Sequence, residues 1–344
     1  MRDLCGFPLY SSSADWTTVQ GELEALELGD GLPLVIPTAA RLDAMLAGVT
    51  APQHVHALLP PLAGELRIDT LAYQCVLAGC QPAELPVVFS AVKACLHADF
   101  NLLGILTTTG TATVAVVVHG AIAATLGVSS TTNCLGPGAR ANACIGRAVS
   151  LVLRNIAGAK QGVGDMATMG QPGKFSFCFA ESESANFPSL LERQGFDAEQ
   201  SAVTVLGVSG TAEVLPIAGG VTPQQILAPV ALAMGASVLM CGAREREPTQ
   251  QVVLLPPELV QQLAAHGFGL TEIQSYLYES ADVYALLKAS QLSGVQAVSS
   301  TVAASAVDIH PLQTGGPGVK MTVLPLWSGG TRPQTRLIDD LSVG

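Results

Sequence analysis

The chain has 344 residues, enough for two domains or one large α/β domain. Apolar residues make up 49% and charged residues 12%, about half the usual charged share, so extensive buried surface and a homo-oligomer are expected. The formal net charge of −11 argues against nucleic acid as a partner.

In chain order, residues 1–30 read as an irregular N-terminal arm. One α/β domain is expected over 31–190 and a second over 191–344. The first residues hold no apolar core of signal-peptide length. No stretch qualifies as a membrane span; the best candidate, 111–128, contains His119 and two glycines. A cytoplasmic protein is therefore expected. Its eight cysteines have no C-x-x-C spacing and read as reduced, mostly buried thiols.

Residues 32–47 pattern as strand, Pro37-Thr38 and a helix with Leu42, Met45 and Leu46 on one face. The Pro-bounded loop that follows holds His54 and His56, weak evidence for a metal, and none is expected. Residues 66–78 and 83–97 read as two helices, divided by Gly79-Cys80 and Pro82. That tight junction can present the Cys80 thiol. The valine-rich run 114–118 is the mark of a strand buried on both faces. His119 follows at its carboxyl end, where α/β proteins place ligands. The threonine-rich turn around Thr109 offers hydroxyls and backbone N–H groups to the same crevice.

The stretch 133–183 carries the densest chemistry. Gly136-Pro137-Gly138 makes a turn, and a long apolar helix is expected over 139–156. Arg140, Arg147 and Arg154 stand seven apart on it, close to two turns, so they share one stripe with Cys144 between the first two. Of the 16 Lys and Arg in the chain, five fall between positions 140 and 174, against one acid, Asp165. A basic cluster beside a helix start favours an anion. Gly136, Gly138, Arg140 and Arg147 are the expected substrate-binding set, and Arg154 reads as more structural. After a Gly- and Met-containing loop at 162–173, residues 174–180 alternate. Phe175, Phe177 and Phe179 are expected on one face, with Lys174, Ser176 and Cys178 on the other. With Glu181 and Glu183, a thiol, an amine and two carboxylates lie within ten residues, a set suited to acid–base or nucleophilic work.

The C-terminal part repeats this grammar. Residues 202–208 read as a strand, and Thr222-Pro223-Gln224-Gln225 as a capped helix start. Residues 252–265 echo the strand–Pro–helix of 32–47, and 271–274 read as another capping box. Gly315-Gly316-Pro317-Gly318 echoes the turn at 136–138, which adds Gly316 to the binding set. These echoes favour two α/β domains of similar build, with mostly parallel or mixed sheets and a cleft between them. Strands 114–118 and 202–208 are expected at the centre of one domain each. A P-loop is absent, and no G-x-G-x-x-G follows a strand.

The motifs LLPPLAGE (58–65), AGCQPAELPVV (78–88), LGPGARANACIGRA (135–148), PGKFSFCFAESE (172–183), GGPG (315–318) and TRP (331–333) resemble a bacterial protein family labelled UGSC-type or, loosely, thioredoxin-like. The resemblance runs through most of the chain and implies no particular reaction. The thioredoxin label has no dithiol behind it here. Cys80, Arg140, Arg147, Lys174, Cys178, Glu181 and Glu183 match the family pattern. That pattern has Thr at the position of Cys144 and Asn at that of His119.

The expected function is a cofactor-independent lyase or hydratase acting on a small carboxylate. Arg140, Arg147 and the glycine turn hold the carboxylate, Cys178 or Glu181 acts as base, and Lys174 as acid. The alternatives are a hydrolase of amide, nitrile or ester bonds with Cys178 as nucleophile, and a non-catalytic anion-binding or scaffold subunit.

Overall fold

A computed structural model describes residues 2–4, 6–219, 221–240, 249–282 and 301–342. Its strands and helices, in chain order, are β1 (Arg2–Leu4), β2 (Phe7–Leu9), α1 (Trp16–Ala25), α2 (Ala39–Met45), β3 (Val55–Leu59), β4 (Gly64–Arg67), α3 (Ile68–Ala78), α4 (Leu85–Cys95), α5 (Leu102–Thr107), β5 (Thr113–His119), α6 (Ala121–Leu126) and α7 (Arg140–Asn155). They continue with β6 (Cys178–Ala180), α8 (Leu190–Arg193), β7 (Ala202–Val208), β8 (Ala212–Val214), α9 (Pro223–Met240), β9 (Gln251–Leu255), α10 (Pro257–Ala265), α11 (Leu270–Ser280), β10 (Ile309–Gln313), β11 (Met321–Pro325) and β12 (Gln334–Leu337). The class is α/β. Among the described residues no single helix is long and apolar enough to cross a membrane.

Two four-stranded mixed sheets dominate, ordered β6-β5-β7-β12 and β10-β9-β11-β8. In each, the first pair is parallel and the next two pairs are antiparallel. The alternation of β5 explains its valine run. Val114, Val116 and Val118 join the helices α3, α4 and α7 in one core, while Ala115 and Val117 face the other sheet. The second sheet does the same: Val253 and Leu255 meet α9, α10 and α11, and Val252 and Leu254 meet the first sheet. The result is four layers, helices–sheet–sheet–helices.

The layer between the sheets is apolar, built from Phe177, Phe179, Leu206 and Val208 against Leu312, Leu324 and Leu326. Opening it would re-expose side chains worth roughly 1.5–3 kcal/mol each. Among the described residues it is therefore a packed seam, where an open cleft was expected.

Among the described residues the two halves share one element order. The segment α4–β5–α6–α7–β6–β7–β8 matches α9–β9–α10–α11–β10–β11–β12, the first half adding the short α5 and α8. Helix α4 packs on β7, β12 and α7; α9 packs on β11, β8 and α11. Each half sends its last strand across: β8 follows β7 yet pairs with β11, and β12 follows β11 yet pairs with β7. At the crossing, Val208 bridges Leu326. There Ser209 N donates to Pro325 O (2.9 Å) and Trp327 N to Gly207 O (2.8 Å). Thr204-Val205-Leu206 and Thr322-Val323-Leu324 occupy matching places and are identical in sequence.

Several expectations change. Strand β7 is not the centre of a second domain; it pairs along its whole length with β5. The centre of the second sheet is β9, with β11. The first sheet therefore draws strands from both sides of position 190. Residues 1–30 are not an irregular arm: they hold the β1–β2 hairpin and α1, whose Val19 and Leu23 are buried in the main core. Residues 32–37 form no strand before α2. Helix α11 starts earlier than read, at Leu270, with Glu272 accepting from Gly269 N at 3.0 Å. The Thr222 start is as expected: Gln225 N donates to Thr222 Oγ1, and Gln225 Oε1 accepts from Thr222 N. The 315–318 turn joins β10 to β11, whereas 136–138 precedes α7, so the two turns are not topological equivalents.

Candidate functional site

Helix α7 buries Ile145, Val149 and Val152 in the core that it shares with α3, α4 and the first sheet, and its three arginines are not among its buried residues. A shared stripe does not make a shared site. At 1.5 Å per residue, successive arginines are about 10 Å apart along the axis. A seven-residue step also drifts by about 20°, so Arg154 is turned roughly 40° from Arg140.

Each arginine accordingly meets different surroundings. Arg140 pairs with Glu84, a fully buried carboxylate that also accepts from Gln81 N. The bond to Glu84 pushes the Arg140 guanidinium above its ordinary pKa, although burial opposes it. Arg147 grips Asp30 through Nε and Nη2, both at 2.8 Å, and donates to Pro33 O and Leu32 O. Burial raises the Asp30 carboxyl, but the bond and charge of Arg147 outweigh it and hold the pKa below its usual value. Both arginines expected to bind substrate are thus engaged with protein carboxylates.

The other basic residues of the cluster complete the pattern. Lys160 pairs with Glu27 at 3.0 Å, and Lys174 with Asp165 at 2.6 and 2.8 Å. Arg154 differs: its Nε is buried without a hydrogen-bond partner, and no ion pair forms to it among the described residues. It lines a cavity of about 180 Å³ together with Lys174, Asp165 and Gln161. The apolar wall of that cavity comes from Ile105, Leu106, Leu151, Leu153 and Phe175.

The loop between Gln161 and Lys174 is tied down at several points. Gly162 N donates to Asp165 O, and Gln171 Nε2 to Thr111 O and Val208 O. Thr168 N donates to Thr109 O at 2.9 Å, so Thr109 anchors this loop through its carbonyl.

Residues 174–180 do not form one strand. Residues Pro172–Lys174 make a 3-10 turn, and the strand is only Cys178–Ala180. Phe175 is 47% exposed and belongs to the cavity, while Phe177 and Phe179 pack into the seam. Cys178 faces the helical core, and burial, with the Glu84 charge, pushes its thiol pKa well up. Lys174 is committed to Asp165. The expected thiolate–ammonium face is therefore not assembled, and burial disfavours the Cys178 thiolate.

His119 and Glu181 meet in the interior. Their side chains are 2% and 3% exposed, with Nδ1 3.2 Å from Oε2 in an off-line geometry. His119 Nε2 contacts Thr204 Oγ1 at 2.8 Å, which contacts Thr335 Oγ1 at 2.7 Å. Glu181 also accepts from Leu190 N at the start of α8. This closed network joins β5, β6, β7 and β12. Glu183 is exposed, and its carbonyl accepts from Gln313 Nε2.

The Cys80 thiol donates to Cys144 O at 3.4 Å. Its pKa is well above the usual range, through a bond with the Cys75 thiol and through burial. Cys144 is partly exposed; burial raises its pKa, and Arg140 opposes. Cys5 and Cys241 lie outside the described residues. Gly316 packs so closely on Thr132 that any side chain would collide, and Gly315 N donates to Ser130 O. Gly138 has φ +145°, Gly136 abuts Asn133, and Asn133 Nδ2 donates to Pro137 O, so these glycines serve backbone turns. His56 packs edge-on against His54 and Phe89. Among the described residues no three His, Cys, Asp or Glu are placed to hold a metal.

Of the expected site residues, only Lys174 lines the cavity, with Thr109 holding the adjacent loop. Arg154, Asp165, Gln161 and Phe175, which also line it, were outside the expected set. One signal was available for Asp165, the single acid inside the basic span. No protein-family model matches the chain, and no curated protein matches it.

Proposed function

We propose that the chain is a lyase or hydratase acting on a small carboxylate, with its site in the cavity shared by Arg154, Lys174 and Asp165. The observation that carries this reading is the buried, unpartnered Arg154 Nε beside the Lys174–Asp165 pair. A buried guanidinium donor without a partner is costly, and a carboxylate satisfies it with charge-assisted hydrogen bonds.

The chemistry follows from the groups present. Arg154 holds the carboxylate. Asp165 takes the proton from the adjacent carbon, and the electron pair forms the Cα–Cβ double bond as the Cβ–O bond breaks. Lys174 donates a proton to the departing oxygen, releasing water; hydration is the reverse. Arg154 and Lys174 stabilise the enolate-like charge that develops between these steps. Cys178, buried and with its pKa raised, gives the hydrolase reading no support.

The test is solvent exchange. Small carboxylates are incubated with the protein in D2O and followed by proton NMR. Deuterium is expected at the carbon next to the carboxylate, and the rate should fall at least 100-fold in Asp165→Asn. Binding without exchange or turnover across the panel would instead mark a non-catalytic carboxylate-binding protein.

A further inference from the structure

The charges around the cavity allow a more specific statement, which rests on the carboxylate reading above. Lys174 and Asp165 neutralise each other, and Asp30, also in the lining, is neutralised by Arg147. Among the described residues that line the cavity, one positive charge is left without an ion pair, that of Arg154. The rest of the wall is mostly apolar, with Ile105, Leu106, Leu151, Leu153 and Phe175, and its other polar groups, Thr113, Ser150 and Gln161, are uncharged. The volume is about 180 Å³, and a dry cavity of roughly 150 Å³ is known to hold a six-carbon ring.

We infer that the occupant is a monocarboxylate with a short aliphatic chain, about six to eight non-hydrogen atoms in all, and not a di- or tricarboxylate. One free cation matches one carboxylate. A second carboxylate would have to take Lys174 from Asp165, leaving Asp165 without its partner in a half-buried site, or lie against a wall that offers only uncharged groups. Either arrangement strands a desolvated charge. The chain of a monocarboxylate lies along Leu151, Leu153 and Phe175, and a β-oxygen on it lies at Lys174 without adding a second charge.

Isothermal titration with ethanoate, butanoate, 3-methylbutanoate, hexanoate, decanoate and butanedioate tests this. From ethanoate to butanoate, Kd should fall about fourfold per methylene, and it should stop improving beyond hexanoate. Butanedioate should bind at least tenfold more weakly than butanoate. Arg154→Met should weaken butanoate at least tenfold. Arg154→Lys, which keeps the charge, should weaken it less, and both melting temperatures should stay near wild type. Equal or tighter binding of butanedioate that still depends on Arg154 overturns the monocarboxylate assignment and leaves the site standing. Decanoate binding better than hexanoate overturns the size limit. Binding of none of these acids, or binding indifferent to both Arg154 variants, overturns the inference and the underlying site together.

Discussion

Asp30 and Arg147 form a two-point ion pair, Nε and Nη2 each 2.8 Å from a carboxylate oxygen, and Asp30 also lines the cavity that Arg154 lines. The pair pins residues 30–33 to the middle of α7, because Arg147 also holds Pro33 O and Leu32 O. It thereby shapes one wall of the site without contributing a free charge.

Removing one partner should be costly. Both side chains are largely buried, 14% and 11% exposed. Arg147→Leu leaves Asp30 without its counter-charge, at about 3 kcal/mol. Urea unfolding should report this loss; less than about 1 kcal/mol would mean that water replaces the arginine. The Asp30 pKa is lowered in the fold, so the stability it contributes is present above its unfolded value near 3.8 and is lost as pH falls through the lower folded value. Asp30→Asn should remove that acid-sensitive part.

A second pH effect has the same direction and a higher window. His310 is buried against Gln250, and burial, with Arg193 adding to it and Asp308 opposing, lowers its pKa from 6.5 to about 4. The imidazole is neutral in the fold, whereas the unfolded chain takes up the proton below 6.5. Its contribution is complete above pH 6.5 and drains away as pH falls towards 4. Between pH 7 and pH 5 this amounts to roughly 2 kcal/mol. His310→Gln should flatten that part of the stability profile; an unchanged slope would place the acid sensitivity elsewhere.

The thiols should differ sharply in reactivity. Among the six described cysteines only Cys80 and Cys144 are partly exposed, and Arg140 works against the raised pKa of Cys144 alone. In native protein, iodoacetamide should modify Cys144 before the other five, and Cys178 only on unfolding. Peptide mass spectrometry reads the order. Early labelling of Cys178 would show that the strand Cys178–Ala180 opens readily.

The strand exchange makes a further demand. Strand β12 closes the edge of the first sheet although it follows β11 of the second. Ending the chain after position 327 should therefore strip hydrogen-exchange protection from β7, while β9 keeps its own. Preferential loss in β9 would contradict the exchange.

Helices with strong local signals were legible: α3 with its Gly79 end, the Thr222-capped α9, and α7. The both-face burial of β5 was legible as well, because a valine-rich run suits no half-exposed strand. The sheet partners were not. Strand β7 has the same texture as β5, and nothing local says whether two such strands share a sheet. The crossing of β8 and β12 depends on contacts more than a hundred residues apart. The repeat was sensed, but through the wrong echo: the informative one is Thr204-Val205-Leu206 with Thr322-Val323-Leu324. For the site, counting charges found the basic cluster but could not find its partners, because Glu84, Asp30 and Glu27 lie far upstream. Of the five basic residues in that cluster, Arg154, which looked structural, is the one with no ion pair among the described residues.

The most direct test of a carboxylate site at Arg154 is a crystal of the protein soaked with butanoate. The carboxylate is expected within about 3 Å of the Arg154 guanidinium, with its chain against Leu151 and Phe175 and the Lys174–Asp165 pair beside it. A carboxylate bound instead at Arg140 and the Gly136–Gly138 turn, or an Arg154 closed onto a protein carboxylate with the cavity filled by side chains, would contradict it.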